Sequence, residues 1–461
     1  MKQPIFILFF TLIAAGCTRP QYTDQNHVPF IIANRIDKQV YWNQSCFKDP
    51  CVTAYLQELI NEPLTSESVV QIALLNNPQI QILFEELGIA QADLVEAGLL
   101  SNPAFEIDVR YPHQKKLRTN IEYLITATFI DIFLIPLRTR LAAAELEQAK
   151  RRVTHEILDL AFEVRQTYYE LLAEQEKLKY TQSIVDLISI HQEITARQSK
   201  VGNVILLDFQ QVQARFLETQ LELAKSQSEM IRLKEKLNRL LGFSEDMCMS
   251  LPEELPKELN YQEFDLCALE SLALEQRMDR QVARYEVIRL SRMLGIKEWW
   301  TYTHLQVGVA GERDPDGLNL VGFGMKGEVP IFNSGQAARM RIFAQLRQAR
   351  DRLVSLEIRI LSEVREAYHL LTNDLGIIID YRNKILPIQS KILNSSEELY
   401  NVMGLGIDRL LENKRQELEA YRNYIESLKN FWLDRVQLDK SVGGYLFLIL
   451  PQDNCLEGVA E

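Results

Sequence analysis

The chain has 461 residues, of which 47% are hydrophobic and 25% are charged, and its formal net charge is -12. This length and apolar content suit two or three ordinary folded domains and exclude a disordered chain, while the acidity argues against a nucleic-acid-binding protein. The 19 glycines and 15 prolines are few for such a length, which favours long uninterrupted elements, above all extended helices.

The first 16 residues have the layout of a secretory signal peptide. Lys2 precedes the apolar run Ile5–Ile13, which is too short to remain as a membrane anchor. The following Ala15-Gly16-Cys17 resembles a bacterial lipobox, in which the cysteine is lipidated and becomes the new N-terminus. We therefore predict export, a signal peptide over residues 1–16 and a lipid on Cys17. The alternative is a plain signal peptide followed by a chance cysteine.

Export changes the interpretation of the other five cysteines, because the bacterial periplasm is oxidising. Cys46 and Cys51 could close a small loop, and Cys248 and Cys267 flank a stretch rich in Glu and Pro. Free, buried thiols are an equally good interpretation. The sequence contains no Cys-x-x-Cys pair and so offers neither a zinc site nor a thioredoxin-like site.

The chain resembles itself at an offset of 200 residues. Separated places agree without a gap: Ala144–Lys150 with Ala344–Arg350, Glu163-Val164-Arg165 with Glu363-Val364-Arg365, and Asp208 with Asp408. A register shared over so long a stretch is hard to obtain by chance, so we predict a tandem duplication. The expected segments are a leader over 17–61, repeats over 62–245 and 262–445, a linker over 246–261 and a tail over 446–461.

Within the first repeat the periodicity predicts a helix, a β-hairpin and two more helices. A helical pattern of about 36 residues begins near Ser66, with Thr65 or Ser66 as its cap. Alternation of apolar and polar residues then predicts strands at about 104–112 and 121–131. Neither proline nor glycine interrupts the pattern from Pro136 to Val201, which predicts a helix on the order of 100 Å long, and a further helix of about 38 residues follows.

The second repeat predicts the same order. Its strands lie at about 305–311 and 318–329, its long helix begins at about Gln336 and its last helix at about Asp408. In each repeat the two shorter helices together match the long one, so they can stack end to end along it. This arrangement would bring the junctions at 60–65 and 243–262 together.

The four predicted strands have the length and alternation of outer-membrane strands. Four strands cannot close a barrel around a lumen, and open edges cannot face lipid. Further copies of the chain must therefore complete the barrel, with eight strands in a dimer or twelve in a trimer. The alternative is two soluble hairpins packed on helices.

Over residues 60–445 the chain resembles the TolC family of outer-membrane efflux channels. The segments that carry the resemblance are Ala73–Pro78, Ser101-Asn102-Pro103, Val201–Asp208, Val329–Gly335, Tyr381–Pro387 and Val402–Asp408. The resemblance implies a mainly α fold with a small membrane β-hairpin part. As a homotrimer it would form a TolC-like α/β-barrel, with a twelve-stranded barrel in the outer membrane and a long α-helical tunnel through the periplasm.

The resemblance also implies a role for two helix-turn-helix tips. They would dock a periplasmic adaptor protein attached to an inner-membrane pump, either proton-driven or ATP-driven. The tip residues are Val201, Gly202 and Asn203 in the first repeat and Val402, Met403, Gly404 and Leu405 in the second. Gly202 and Gly404 would permit the tight reversal, whether or not they also bind a partner. By sequence the second turn is shorter, because Gly404 lies four residues before Asp408, whereas Gly202 lies six before Asp208.

Channels of this family are closed at the periplasmic end by acidic rings and polar bonds between inner helices. The resemblance makes Asp408 the first candidate for a pore-facing acid, with Arg409 and Asn413 as further candidates. Three copies of Asp408 around a narrow lumen would favour cations. A helix-capping role of Asp408 is an equally good interpretation.

No pattern for catalysis is found in the sequence. The six histidines match no metal-ligand spacing, and there is no His-Glu-x-x-His, no Gly-rich phosphate loop and no Gly-x-Ser-x-Gly. We therefore expect no cofactor, no metal, no enzyme activity and no nucleic-acid partner. The favoured function is a passive exit duct of a tripartite efflux or type I secretion system, with drugs, metal cations or polypeptides as substrates. The alternative is a structural or adaptor coiled-coil lipoprotein of the periplasm.

Overall fold

The computed structural model of the chain describes residues 27–43, 50–111, 113, 118–128, 131–244, 250–258, 264–299, 306–327, 331–332 and 334–449. The predictions for the signal peptide and for Cys17 lie outside these residues. The described chain is mainly helical with one small antiparallel sheet.

Long helices alternate with two β-hairpins along the chain. The helices are α1 His27–Ile36, α2 Pro50–Asn61, α3 Ser66–Asn76, α4 Pro78–Ala97, α5 Asp131–Lys200, α6 Leu206–Leu241, α7 Leu266–Gln276, α8 Met278–Trp299, α9 Gln336–Asp380, α10 Leu386–Asn401, α11 Ile407–Val442 and α12 Leu446–Ile449, with a π-helical turn at Tyr381–Ile385 between α9 and α10. The strands are β1 Ala104–Arg110, β2 Asn120–Ala127, β3 Gln306–Arg313 and β4 Asn319–Lys326.

The first helix of each repeat is short and firmly capped. Thr65 Oγ1 accepts a hydrogen bond from the Ser68 backbone N–H, and Ser68 Oγ accepts one from the Thr65 N–H, which together form a capping box. Helix α3 then stops at Asn77, whose ψ of 121° is extended, because the ring of Pro78 disfavours helical backbone before it. The predicted helix of about 36 residues from Ser66 is therefore wrong, since two helices occupy this stretch.

The second repeat breaks at the equivalent place. Asp265 caps α7 by accepting from the Cys267 N–H, and the helix ends at Arg277, with a ψ of 126°. Asn77 and Arg277 are 200 residues apart, as the offset of the repeat predicts. The long helix α5 begins at Asp131, before Pro136, rather than at Pro136 as predicted.

The four strands form one antiparallel sheet in the order β1-β2-β3-β4. The registers place Phe105, Ile125, Val309 and Phe323 in one row and Ile107, Tyr123, Gly311 and Val321 in the next row of the same face. The side chains of Phe105, Ile107, Ile125 and Phe323 are exposed, and Phe323 is 91% exposed. One face of the sheet is therefore a continuous apolar surface that the chain itself leaves uncovered.

The chain divides into two compact units, and each repeat contributes to both. The first contains Glu85–Val153 and Asp279–Ser355, with the sheet and a small core of Leu290, Leu346 and Ala349. The second contains Pro29–Phe84, Thr154–Met278 and Leu356–Glu461.

The second unit has a buried ionic centre. Arg165 Nη1 on α5 donates to Asp439 Oδ2 on α11 at 3.1 Å, and both side chains are almost fully buried. The guanidinium of Arg165 also lies 4.6 Å from the ring centre of Tyr445. Removing one partner of such a pair leaves the other charge buried and uncompensated, so this contact fixes how α5 and α11 pack.

The junctions between short helices meet in the second unit, as predicted. The Leu64 N–H donates to the Ser250 carbonyl at 2.9 Å, and the hydroxyl of Tyr168 on α5 donates to the Leu64 carbonyl at 2.7 Å. Buried backbone groups need such partners, so these bonds hold both junctions against the long helix.

The described part of the leader from Pro29 onwards belongs to the second unit and is bonded to it. Arg35 Nη1 donates to the Gly443 carbonyl at 2.7 Å, and the side chain of Gln71 both accepts from the Gln39 N–H and donates to the Gln39 carbonyl. Trp42 stacks on Phe84 with ring centres 5.7 Å apart. The leader therefore packs across α3 and α4.

The second repeat contains one residue more than the first, so the offset between equivalent positions rises from 200 to 201 before the last helix. Helices α6 and α11 each have 36 residues and end at Gly242 and Gly443, both left-handed, which are 201 residues apart. The offset is still 200 at Arg165 and Arg365. The π-helical turn Tyr381–Ile385 lies between these places and takes up the inserted residue, because such a turn adds one residue to a helix without ending it.

Candidate functional site

The first tip is the five-residue turn between α5 and α6, in the second unit. Gly202 has a φ of 79°, a left-handed conformation that glycine adopts without steric cost. Its N–H donates to the Ser199 carbonyl, and the Asn203 N–H donates to the Gln198 carbonyl, which closes the end of α5. Gly202 thus makes the reversal, as predicted.

The second tip is also a five-residue turn, between Asn401 of α10 and Ile407 of α11. Its left-handed residue is Met403, with a φ of 60°, and not Gly404. The prediction that Gly404 supplies the reversal is therefore wrong, as is the prediction of a shorter second turn. With the offset of 201, Met403 is the counterpart of Gly202, and Asp208 corresponds to Arg409 rather than to Asp408.

Both tips expose apolar side chains. The exposed residues are Val201, Ile205, Leu206 and Leu207 in the first tip and Val402 and Met403 in the second, where Met403 is 95% exposed. A left-handed, fully exposed methionine is strained and gains nothing from burial within the chain. Such clustered apolar groups at the end of a helical hairpin have the chemistry of a protein-docking surface.

Asp408 lies in the first turn of α11 and pairs with α5. Its Oδ1 is 2.9 Å from Nε2 of His191, and the carboxylate remains largely exposed, while the imidazole is mostly buried. Arg409 is exposed beside it, and the Asn413 amide donates to Ser396 Oγ on α10 at 2.5 Å. The three candidates therefore lie along one helix, with Asp408 and Asn413 turned towards different neighbours.

A charged network lies one turn further along α11. Glu412 accepts from Arg415 of its own helix and from Arg215 Nη1 of α6 at 3.1 Å. The hydrogen bonds from Arg415, followed by the charges of Arg415 and Arg215, lower the pKa of Glu412 to about 2. Glu412 is therefore a fixed negative charge that binds α6 to α11 near the tips.

His191, Arg215 and Glu412 were not predicted from the sequence. His191 is 217 residues from Asp408, and Arg215 is 197 residues from Glu412. No local spacing connects such pairs. Their only signal is that each is a polar residue inside a helical stretch whose packing partner the sequence does not name.

The polar face of the sheet in the first unit carries a group of carboxylates. The carboxylates of Glu106, Asp108, Glu122 and Glu312 lie on this face and border a hollow of about 470 Å³. Arg110 Nη1 donates to Glu122 Oε1 at 3.2 Å, and the Asn120 amide donates to Glu312. The face opposite the apolar surface therefore carries an acidic cluster.

The two cysteines in the described residues, Cys51 and Cys267, are both exposed, which corrects the expectation of buried thiols. Their suggested partners, Cys46 and Cys248, lie outside the described residues. In the ranges that the structure describes, no three His, Cys, Asp or Glu side chains are grouped to hold a metal ion. None of the described helices is long and apolar enough to cross a membrane.

Residues 69–243 match the sequence profile of the outer membrane efflux protein family. A comparison with curated protein sequences gives no match. Among solved structures, the outer-membrane channel OprN is similar over 88% of this chain and 98% of its own, with 16% identity and a TM-score of 0.67. The CmeC outer membrane channel of Campylobacter jejuni is similar over 93% of each chain, with 16% identity and a TM-score of 0.65.

The outer membrane protein VceC from Vibrio cholerae is also similar, over 85% of this chain and 96% of its own, with 14% identity and a TM-score of 0.64. These likenesses establish the fold, since several solved channels share it over nearly their full lengths. The profile match in the first repeat and the structural likeness over most of the sequence agree: residues 69–243 are similar to the outer membrane efflux protein family, and the chain has the fold of these outer-membrane channels.

Proposed function

We propose that the protein is the outer-membrane exit duct of a tripartite efflux or type I secretion system. The observation that carries this function is the four-stranded sheet, which has one uncovered apolar face and an acidic cluster on the other face. Within the described residues, β1 and β4 pair on one side only. A barrel in lipid needs these three properties in each protomer: an apolar exterior, a polar lumen and edges that pair with the next copy.

Three copies would supply twelve strands and the helical tunnel. A homotrimer is therefore part of the proposal, as is anchoring in the outer membrane by a lipid on Cys17. Energy would come from an inner-membrane pump, proton-driven or ATP-driven, because a passive duct needs no chemistry of its own.

The tips are the proposed docking surface for a periplasmic adaptor. The adaptor would be contacted by Val201, Gly202 and Asn203 of the first tip and by Val402, Met403, Gly404 and Leu405 of the second. The support for this role is the exposure of apolar groups at both turns. Asp408, with Arg409 and Asn413 as further candidates, would line the narrow end of the duct.

The test is reconstitution of the full-length protein, extracted in detergent, into planar lipid bilayers. We expect heat-resistant oligomers in outer-membrane fractions and discrete conductance steps. A Cys17→Ala variant that is monomeric and soluble without detergent would overturn the proposal in favour of a structural or adaptor lipoprotein. Labelling with a radioactive fatty acid, lost in the same variant, tests the lipid on Cys17.

A further inference from the structure

The junctions between strands and helices in the first unit expose large apolar side chains. After β2, Phe133 of α5 is 66% exposed, and after β4, Phe332 is 93% exposed beside the exposed Ile331. Leu99 and Leu100, between α4 and β1, are exposed as well. These five residues lie outside the strands, and the tips belong to the other unit. The junctions are therefore a separate apolar surface that the chain leaves uncovered.

Arginines follow these apolar residues closely along the chain. Residues 132–144 contain two arginines and no acidic residue, and residues 331–350 contain four arginines and no acidic residue, in a chain whose net charge is -12. The guanidinium groups of Arg140, Arg339 and Arg341 form no ion pair with any carboxylate that the structure describes. Their positive charge is therefore available to an anionic partner outside the chain.

Packing brings the four junctions to one level of the first unit. A Cβ atom at Gly98 would lie 3.5 Å from Thr139 Cγ2, so the end of α4 adjoins the first turns of α5. Arg292 Nη1 of α8 donates to the Arg140 carbonyl of α5 at 2.6 Å. Helix α8 packs in turn on α9 through the core of Leu290, Leu346 and Ala349. The ends of α4 and α8 and the starts of α5 and α9 therefore lie side by side, where all four connect to strands.

On α5 the apolar and basic groups share one helical face. Phe133, Pro136 and Arg140 are exposed and spaced by three and four residues, which places them in one stripe. The ring lies nearer the strand, and the guanidinium group begins about 10 Å further along the helix. The start of α9 repeats this order, with Phe332 before its first turn and Arg341 in its second. An aromatic ring followed by arginine is the arrangement of residues at a membrane–water interface.

The length of the strands places these residues at the edge of the membrane. The four strands have seven or eight residues each. A tilted strand needs about 9–11 residues to cross the hydrocarbon core of a bilayer. The apolar residues that flank the strands therefore extend the apolar face to the head groups, and the arginines that follow lie at the level of the phosphates.

We propose that this surface binds the head groups of anionic phospholipids in the periplasmic leaflet of the outer membrane. The inference rests on the proposed duct, which places the sheet in the membrane and the helices in the periplasm. The apolar groups enter the boundary between acyl chains and head groups, and the guanidinium groups donate to phosphate oxygens. A zwitterionic head group brings its own ammonium group to the arginines, so the surface prefers an anionic lipid. The residues of this junction surface are Phe133, Arg140, Ile331, Phe332, Arg339 and Arg341.

Lipid binding to the purified full-length protein in detergent micelles tests the arginines. Fluorescent phosphatidylglycerol and fluorescent phosphatidylethanolamine are titrated separately, and the ratio of their dissociation constants is the readout. The triple variant Arg140→Gln/Arg339→Gln/Arg341→Gln should weaken phosphatidylglycerol binding by about tenfold or more, at about fivefold for each arginine, and leave phosphatidylethanolamine binding unchanged.

Two further variants separate charge from apolar contact. The control Lys200→Gln/Lys225→Gln/Lys391→Gln removes three exposed positive charges from the second unit and should keep the ratio of the unsubstituted protein. Phe133→Ala/Phe332→Ala should weaken both lipids by the same factor, because apolar contact with the acyl chains does not depend on the head group.

The outcomes separate the lipid surface from the function. Equal affinity of the unsubstituted protein for the two lipids, or an unchanged ratio in the arginine variant, would overturn the lipid surface and leave a conducting duct in place. Loss of the oligomer in the arginine variant would assign these arginines to a contact between copies, which also overturns it. An unsubstituted protein that inserts into bilayers without conducting would overturn the duct.

Discussion

His191 Nε2 lies 2.9 Å from Asp408 Oδ1 and joins α5 to α11 close to the tips. Because Asp408 is largely exposed, we expect the pair to contribute about 0.5 kcal/mol to the closed state of each chain. Replacing either partner with Ala in three copies should raise the ratio of open to closed channels about tenfold, measured as open probability in bilayers.

The two replacements also separate an effect on channel closure from an effect on cation selectivity. Asp408→Ala should weaken cation selectivity as well, whereas His191→Ala should leave selectivity unchanged, because of these two residues only Asp408 would add a negative charge to the proposed narrow end. Glu193→Gln removes an exposed carboxylate of the same helix, paired only locally with Arg197, and is the control. Equal open probability in Asp408→Ala and Glu193→Gln would show that the His191–Asp408 pair does not stabilise the closed channel.

The two tip glycines should respond differently to alanine. Gly202→Ala forces a side chain into a left-handed conformation and should destabilise the tip by about 1 kcal/mol, although no atom lies within 4 Å of the new methyl group. Gly404→Ala needs no left-handed backbone. Its methyl group would meet the Leu399 carbonyl at 3.4 Å and lie in ordinary contact with the side chains of Leu399 and Val402, so its effect should be small. Protease cleavage at the tips, followed over time in vesicles, measures the difference.

Met403→Gly is the reciprocal variant. It relieves the left-handed strain of Met403 and should leave the tip at least as resistant to protease as the unsubstituted protein. It also removes the most exposed apolar group of the second tip, so export should fall if this side chain docks an adaptor. Full export by Met403→Gly would exclude Met403 from docking, while greater cleavage of Gly404→Ala than of Gly202→Ala would refute the account of the turns.

The two faces of β4 should differ in their tolerance of charge. Phe323→Arg places a cation on the apolar face and should cost about 2–4 kcal/mol in the middle of a bilayer, which would prevent insertion into the outer membrane. Leu320→Arg lies on the opposite face, in the row of Asp108, Glu122 and Glu312, and should be accepted. Quantification of each variant in outer-membrane fractions is the measurement. Equal insertion of both variants would mean that both faces are in water.

Asp434 on α11 should make the fold more stable in mild acid. Burial, together with the neighbouring carboxylates of Asp374 and Glu366, raises the pKa of Asp434 to about 6. The folded chain therefore binds a proton that the unfolded chain releases, so this contribution is present at low pH and lost as the pH rises through about 6. Asp434→Asn should raise the Tm at pH 7.5 and reduce the gain in Tm between pH 7.5 and pH 5.

Glu398→Gln, at an exposed position of α10, is the matched control for the loss of one carboxylate. It should keep the pH dependence of the unsubstituted protein. An Asp434→Asn variant with an unchanged pH profile would show that the Asp374–Asp434 pair does not hold the proton.

The regular elements could be predicted because their periods are visible in single segments. The alternation around Phe105 and Ile125 follows from the two-residue period of a strand, and α5 follows from a long stretch without helix breakers. The break at Asn77 was not predicted, although Pro78 is a local signal for it, since proline disfavours helical backbone in the residue before it. These features depend on neighbours in sequence.

The conformation of the two tips could not be predicted from local sequence in the same way. The π-helical turn Tyr381–Ile385 inserts one residue without any characteristic residue type, so the sequence alignment of the repeats shifts from 200 to 201 unnoticed. Because of that shift, an ungapped comparison pairs Asp208 with Asp408. The reversal was expected at Gly404 because glycine adopts left-handed backbone more readily than other residues. The His191–Asp408 contact depends on how two distant helices pack, which no local pattern specifies.

Single-channel recording of the purified full-length protein in planar bilayers tests the central claim most directly. An exit duct predicts discrete conductance steps from the oligomer, with cation preference that weakens in Asp408→Ala. Absence of any conductance from a stable oligomer that inserts into the bilayer would contradict the duct.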